Sequence, residues 1–398
     1  MTRTRRAAAR TRTLCAAGVV AVAWLAFAAP AEGIPAFARR YQFSCSTCHA
    51  PAPRLKPFGE AFAARGFRLE DPSQEPPRAT YETGDPTLRL LRELPLAVRM
   101  DGYASWKPDA TAETDTEWPW AFKVLSGGPL SEKISYYAYF IIEKGGVEGL
   151  EDAYLQFNTP LGAPLNVLFG QFQVCDPLFK RELRLERFDY EIFRARVGAS
   201  PVALTYDRGV VTTGTLPGAI DTTFQVVNGN GIDHADDEDN FDDGGLKNVS
   251  LRLARMFGDR LRLGVFTYWG KTSAADGANR TYYVGPDVVV NFSDRLQLNV
   301  EYLERRDDNP LFTAAPGAEW ETRGGFAELV YQPRGPDGPW ALTGLYSKVS
   351  SDDQQARSES ISGSVSYLLA RNIRGLVEAG RDLEHEAGRV SVGIVAAF

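Results

Sequence analysis

The chain has 398 residues, 44% hydrophobic and 24% charged, which excludes global disorder and allows two domains or one very large sheet. Its formal net charge of −7 argues against a nucleic-acid partner, which would require a basic face. Only 3 histidines and 4 cysteines occur, so any metal or redox chemistry rests on few residues.

Arg3, Arg5, Arg6, Arg10 and Arg12 precede an apolar run at 14–29, and small residues follow at 29–31. A basic start, apolar middle and small-residue exit predict a secretory signal peptide over 1–31. The run is shorter than the roughly 20 residues a spanning helix needs. Cys15 falls inside it, so Cys45, Cys48 and Cys175 remain in the exported chain.

Next comes Cys45-Ser46-Thr47-Cys48-His49, the spacing that attaches a c-type haem. Two thiols so spaced reach the two vinyl carbons of one porphyrin, and His49 is held under the iron as axial ligand. A thioredoxin-like pair gives the histidine no role. A zinc site needs more Cys or His than the sequence offers before His234. Export agrees with the motif, because bacterial haem c attachment takes place outside the cytoplasm. Leu55, Phe58 and Phe62 recur at helical spacing, with Gly66 suited to end the helix. Residues 32–75 therefore read as a monohaem cytochrome c segment, too short to bury a haem alone. Residues 76–94 read as a linker.

From 95 to 398 the chain repeats alternating segments of about ten residues, the length of a transmembrane β-strand. Residues 295–304 put Leu296, Leu298, Val300 and Tyr302 on one face and Gln297, Asn299 and Glu301 on the other. Residues 360–369 set Ile361, Val365, Tyr367 and Leu369 opposite four serines. Short connections alternate with long or acidic ones, such as 174–193, 229–245 and 270–279. That parity suits short periplasmic turns and long extracellular loops. The chain ends in Phe398 on an alternating strand, like the assembly signal of outer-membrane barrels. The expected fold is all-β: a transmembrane antiparallel β-barrel of about 16 strands (14–18). A short N-terminal α-helical cytochrome c segment would be docked in its lumen or capping it.

Residues 34–62 and 170–193 resemble the monohaem porin–cytochrome c fusion proteins of the bacterial outer membrane. Their best understood relatives are outer-membrane iron-oxidising cytochromes, which pass electrons from extracellular Fe(II) inward. The resemblance implies one covalent haem c on Cys45, Cys48 and His49, and electron transfer from Fe(II) to a periplasmic c-type cytochrome.

Candidates for the sixth iron ligand are Met100, Met256, His234 and His385. Met100 shares the lipid-side face of Leu96 and Val98, and both histidines fall in extracellular loops. Met256 shares the lumen face of Ser250 and Arg252, so it is the candidate ligand; an open site is the alternative. Residues 176–196 suggest an amphipathic helix folded into the lumen. There Arg184 and Arg187 would pair the haem propionates, unless the segment is an ordinary charged loop. Cys175 reads as a buried thiol. The acidic loop at 230–246 reads as solvated, or as a device that concentrates Fe(II) or holds Ca²⁺. Two other functions stay open: a solute-conducting porin with a haem sensor or plug, and a periplasmic haem enzyme such as a peroxidase.

Overall fold

The computed structural model describes residues 36–398, apart from 77–79, 89, 145, 243, 244, 246, 275 and 316. The expected signal peptide lies outside the described residues. Two short strands in the linker, β1 (Thr80–Tyr81) and β2 (Leu90–Leu91), pair as a small ribbon.

Sixteen strands then close a barrel. They are β3 (Leu96–Trp106), β4 (Thr114–Pro129), β5 (Ile134–Glu143), β6 (Val147–Asn158), β7 (Leu165–Gln173), β8 (Tyr206–Leu216), β9 (Ile220–Val227) and β10 (Asn248–Phe257). The others are β11 (Leu261–Ala274), β12 (Gly277–Ser293), β13 (Leu296–Asp307), β14 (Trp320–Tyr331), β15 (Trp340–Ser351), β16 (Ser358–Ala370), β17 (Ile373–Asp382) and β18 (Ala387–Ala397). Each pairs antiparallel with its neighbours in sequence, and β18 returns to β3. Phe398 completes the seam, donating its N–H to Val98 O at 2.8 Å and accepting from Val98 N at 2.7 Å.

The alternation decides which face is wet. On β16, Ser360, Ser362, Ser364 and Ser366 are buried, while Ile361 is 51% and Val365 41% exposed. Trp269, Tyr302 and Val392 stand outward in the same way on other strands. A water-soluble sheet has the reverse arrangement, because exposed apolar area costs about 25 cal/mol per Å² in water. An apolar solvent removes that cost.

Seven short turns share one end of the barrel with both strand termini at the seam. Most of the longer connections, including 174–205 and 228–247, share the other. One expected loop is corrected. Residues 270–279 are almost wholly strand, with Lys271 opposite Arg280 and a tight reversal after Ala274. Alternation continues there with polar residues such as Thr272 and Asn279 facing inward, so the strand carries no apolar signature.

Residues 174–205 fold into the lumen as a plug. Val174, Cys175, Leu178, Ile192, Phe193 and Leu204 pack against inward side chains such as Phe266, Tyr283 and Leu345. The helix expected over 176–196 is not formed. The segment holds one 3-10 turn (Arg181–Leu183) and one four-residue helix (Glu191–Arg194). Its buried residues point to wall strands on several sides rather than along one helical stripe, and packing overrides local propensity.

Before the barrel stand α1 (Ala36–Tyr41), α2 (Cys45–Cys48) and α3 (Pro57–Ala64). Tyr41, Phe62 and Phe67 form their core, with Phe37 stacked on Phe67. This unit sits at the short-turn mouth. Gln156 Nε2 donates to Ala64 O at 2.8 Å, Asn166 Nδ2 donates to the same oxygen at 3.1 Å, and Phe67 meets Tyr137.

Candidate functional site

Helix α2 is one turn long and carries Cys45 and Cys48 at its ends, so both thiols lie on one side. Ser44 caps it, accepting from Ser46 N. Both thiols are free and half-buried. Burial pushes both up from the ordinary thiol range. His49 follows directly, and its N–H donates to Cys45 O at 2.8 Å.

The loop after His49 turns back sharply. Ala50 N donates to Arg54 O at 2.9 Å and Lys56 N to Cys48 O at 2.8 Å. The turn brings two carbonyls to the imidazole: Nδ1 lies 3.0 Å from Pro53 O and 3.3 Å from Arg54 O. Carbonyls only accept, so Nδ1 carries the proton and Nε2 presents its lone pair. Burial lowers the imidazole's proton affinity, against the opposing effect of those carbonyls, and favours this neutral form. A metal-ligating histidine is oriented in this way, by a backbone acceptor on its second nitrogen.

Helix α3 crosses close behind. A Cβ on Gly59 would stand 2.5 Å from Cys48 O, so glycine permits the approach. A cavity of about 550 Å³ opens beside α2, lined by Arg40, Phe43, Thr47, Phe58 and Leu69 among others. The two thiols are not on its wall. Two adjacent thiols and an oriented imidazole fit a covalently held haem.

Arg184 and Arg187 lie in the plug, where acidic partners hold them. Arg184 Nη1 is 2.6 Å from Asp189 and Arg187 Nη2 2.5 Å from Glu117, with Arg187 also over the rings of Tyr103 and Trp120. Arg187 thus ties the plug to the wall, whereas Arg184 pairs within the plug. Met256 stands at the short-turn end of β10, 46% exposed and opposite Arg262. Met100 lies on the outward face, as its spacing implies, and His234 and His385 are exposed at the far end. Cys175 is fully buried. In the acidic loop Asp236 accepts from the N–H groups of Glu238 and Asn240, a local turn. Among the described residues, no group of three or more His, Cys, Asp or Glu is placed to hold a metal ion.

Sequence reasoning missed Arg54, Glu328 and Gln332. Gln332 Nε2 donates to Ala50 O at 3.0 Å, and Arg54 Nη1 reaches Glu328 at 3.7 Å. Alternation along 326–332 places Glu328 and Gln332 on the lumen face; nothing in the sequence names their partners.

Among solved structures, the chain is similar to the outer membrane channel DcaP of Acinetobacter baumannii. Identity is 12% and the TM-score 0.55, over 77% of this chain and 97% of that one. OmpF of Salmonella typhi, in complex with daunomycin, matches at 12% identity and TM-score 0.54, over 77% and 97%. An anion-selective porin from Comamonas acidovorans matches at 12% and 0.53, over 77% and 99%. The barrel has the porin fold. No family model matches the chain, and no curated protein does.

Proposed function

We propose that this porin-fold barrel spans the outer membrane, carries one haem c on Cys45 and Cys48 with His49 as axial ligand, and passes electrons through it. The observation that carries this reading is the His49 geometry: Nδ1 is engaged by Pro53 O, so Nε2 keeps its lone pair, on the residue that follows the second of two free thiols. The apolar outer face and the porin fold support the membrane location and argue against a soluble haem enzyme. When bound, the haem supplies a one-electron iron couple whose potential its surroundings set.

The chain's own residues do the rest. The Pro53 and Arg54 carbonyls fix the imidazole. The plug keeps bulk water out of the lumen behind it. Extracellular Fe(II) is the proposed electron donor and a periplasmic c-type cytochrome the acceptor. Met256, at the same mouth as the segment, is the proposed sixth ligand.

The fold comparison favours a second reading more directly. The solved barrels it resembles are a channel and porins, so this chain would be a solute-conducting porin with the haem unit as plug or sensor. The filled lumen favours the first reading, since Phe193, Val197 and Leu204 of the plug have no exposure.

The two readings separate in one preparation. The full chain is purified from cells that mature cytochromes c, and the haem absorption is followed anaerobically on adding Fe(II). Bilayer conductance is recorded on the same sample. Covalent haem reduced by Fe(II), with little conductance, supports electron transfer. Steady conductance with haem that only dithionite reduces establishes the porin reading.

A further inference from the structure

Strand β14 touches both inserts. Its lumen face carries Phe326, Glu328 and Val330, and the alternation runs on to Gln332 just past its end. Phe326 stacks on Tyr190 of the plug, ring centroids 3.8 Å apart and planes 8° from parallel. Gln332 holds Ala50 O in the loop that follows His49. Glu328 lies between them and is 2% exposed.

Three groups converge on the Glu328 carboxylate. Tyr190 donates its hydroxyl to Oε1 at 2.7 Å, and Asn299 Nδ2 donates to Oε2 at 2.5 Å. Arg54 Nη1 stands 3.7 Å from Oε2. The Arg54 carbonyl in turn accepts from His49 Nδ1 at 3.3 Å. One buried carboxylate thus joins the plug, the wall and the loop that orients His49. A carboxylate used only for docking would sit at the rim, as Asp337 does, 70% exposed beside Lys56.

We infer that Glu328 is a positioning residue that couples the plug to the iron centre: its charge, relayed through Arg54, sets the reduction potential at His49. This rests on the haem reading above. The sign follows from charge. Ferric haem carries one more positive charge than ferrous haem, so a nearby anion favours the ferric form and lowers the potential, while a cation raises it. Glu328→Gln keeps the shape and a hydrogen-bond acceptor but removes the anion, and so raises the potential. Arg54→Gln removes the cation and lowers it. Burial keeps both effects from being screened away.

The test is a spectroelectrochemical titration of the purified full-length holoprotein and the two variants. At a fixed potential the ferric-to-ferrous ratio is expected to fall about tenfold in Glu328→Gln, an upward shift of about 59 mV for a one-electron couple. Arg54→Gln is expected to shift it the opposite way, and Glu328→Asp to recover most of the wild-type value. Potentials that coincide across the variants, or move in one direction for both, overturn the inference while leaving the haem reading intact. Wild-type protein without covalent haem, judged by its pyridine haemochrome spectrum, overturns both. Should Glu328→Gln fail to assemble, the downward shift in Arg54→Gln decides the matter alone.

Discussion

The plug lies in the barrel's lumen and the N-terminal segment at its mouth, and they are held in different ways. The plug shares one apolar core with the wall, and its polar atoms are locked into it. Arg305, fully buried on β13, donates to Ala195 O and Val202 O of the plug, both at 2.9 Å, and pairs with Asp307. The N-terminal segment has its own small core and meets the barrel mostly through polar contacts at the mouth. The plug is therefore part of the barrel's fold, whereas the segment is a unit docked on it. Changes in the segment should alter chemistry and spare the barrel; changes in the plug should do damage to the fold itself.

The largest effect should come from Cys45→Ser with Cys48→Ser. Covalent haem should vanish from a denaturing gel stained for peroxidase activity, while the barrel keeps its heat-modifiable mobility. A barrel that fails to assemble without haem would break the comparison, because the segment would then belong to the folding core.

Plug variants come next. Phe193 has no exposure, so Phe193→Ala should cost about 3–5 kcal/mol, read as a lower unfolding temperature in detergent. Arg305→Gln leaves Asp307 buried without its charge partner, which costs about 3–5 kcal/mol by analogy with other broken buried pairs. Both variants should open measurable conductance as the plug loosens. A silent bilayer with either would mean that the plug seals the lumen without these contacts.

Gly59→Ala sharpens the other side. The new methyl would meet Cys48 O and the Leu55 side chain, so α3 must move off α2. Overpacking of this kind costs about 1–3 kcal/mol. The expected result is reduced haem occupancy and an unchanged barrel melting temperature.

The same contrast explains what the sequence made legible. The wall follows alternation with a period of two, and lipid outside with polar residues inside keeps that signal clean, as on β16. The sixteen strands and most of the loop parity follow from it. The proposed haem-attachment motif is equally local, because that chemistry would fix the spacing of Cys45, Cys48 and His49. The plug's place in the lumen was legible but its helix was not, because its stability is not local. Phe179, Tyr190 and Phe193 answer to wall residues such as Phe326, more than 100 positions away, and no short-range period records that. The Glu328 site was hidden for the same reason: it takes one residue each from segment, plug and wall. Beyond the lipid, Lys271 and Thr272 continue a strand without apolar residues to mark it.

The smallest effect should come from Asp337→Ala, and it tests docking alone. Lys56 has two partners: Ser46 O within the segment at 2.5 Å, and Asp337 on the barrel rim at 2.6 Å. Removing Asp337 leaves the Ser46 contact intact, so α2 keeps its shape and only one link to the rim is lost. Asp337 is 70% exposed, and exposed ion pairs contribute about 0–1 kcal/mol. Haem content and potential should stay at wild-type values. Cleavage in the 76–94 linker by added protease should rise less than in a Gln332→Ala variant, which loses the buried hydrogen bond to Ala50. Equal protection in the two variants would show that neither link holds the unit, leaving its seat to the contact of Phe67 with Tyr137 and the two hydrogen bonds to Ala64 O.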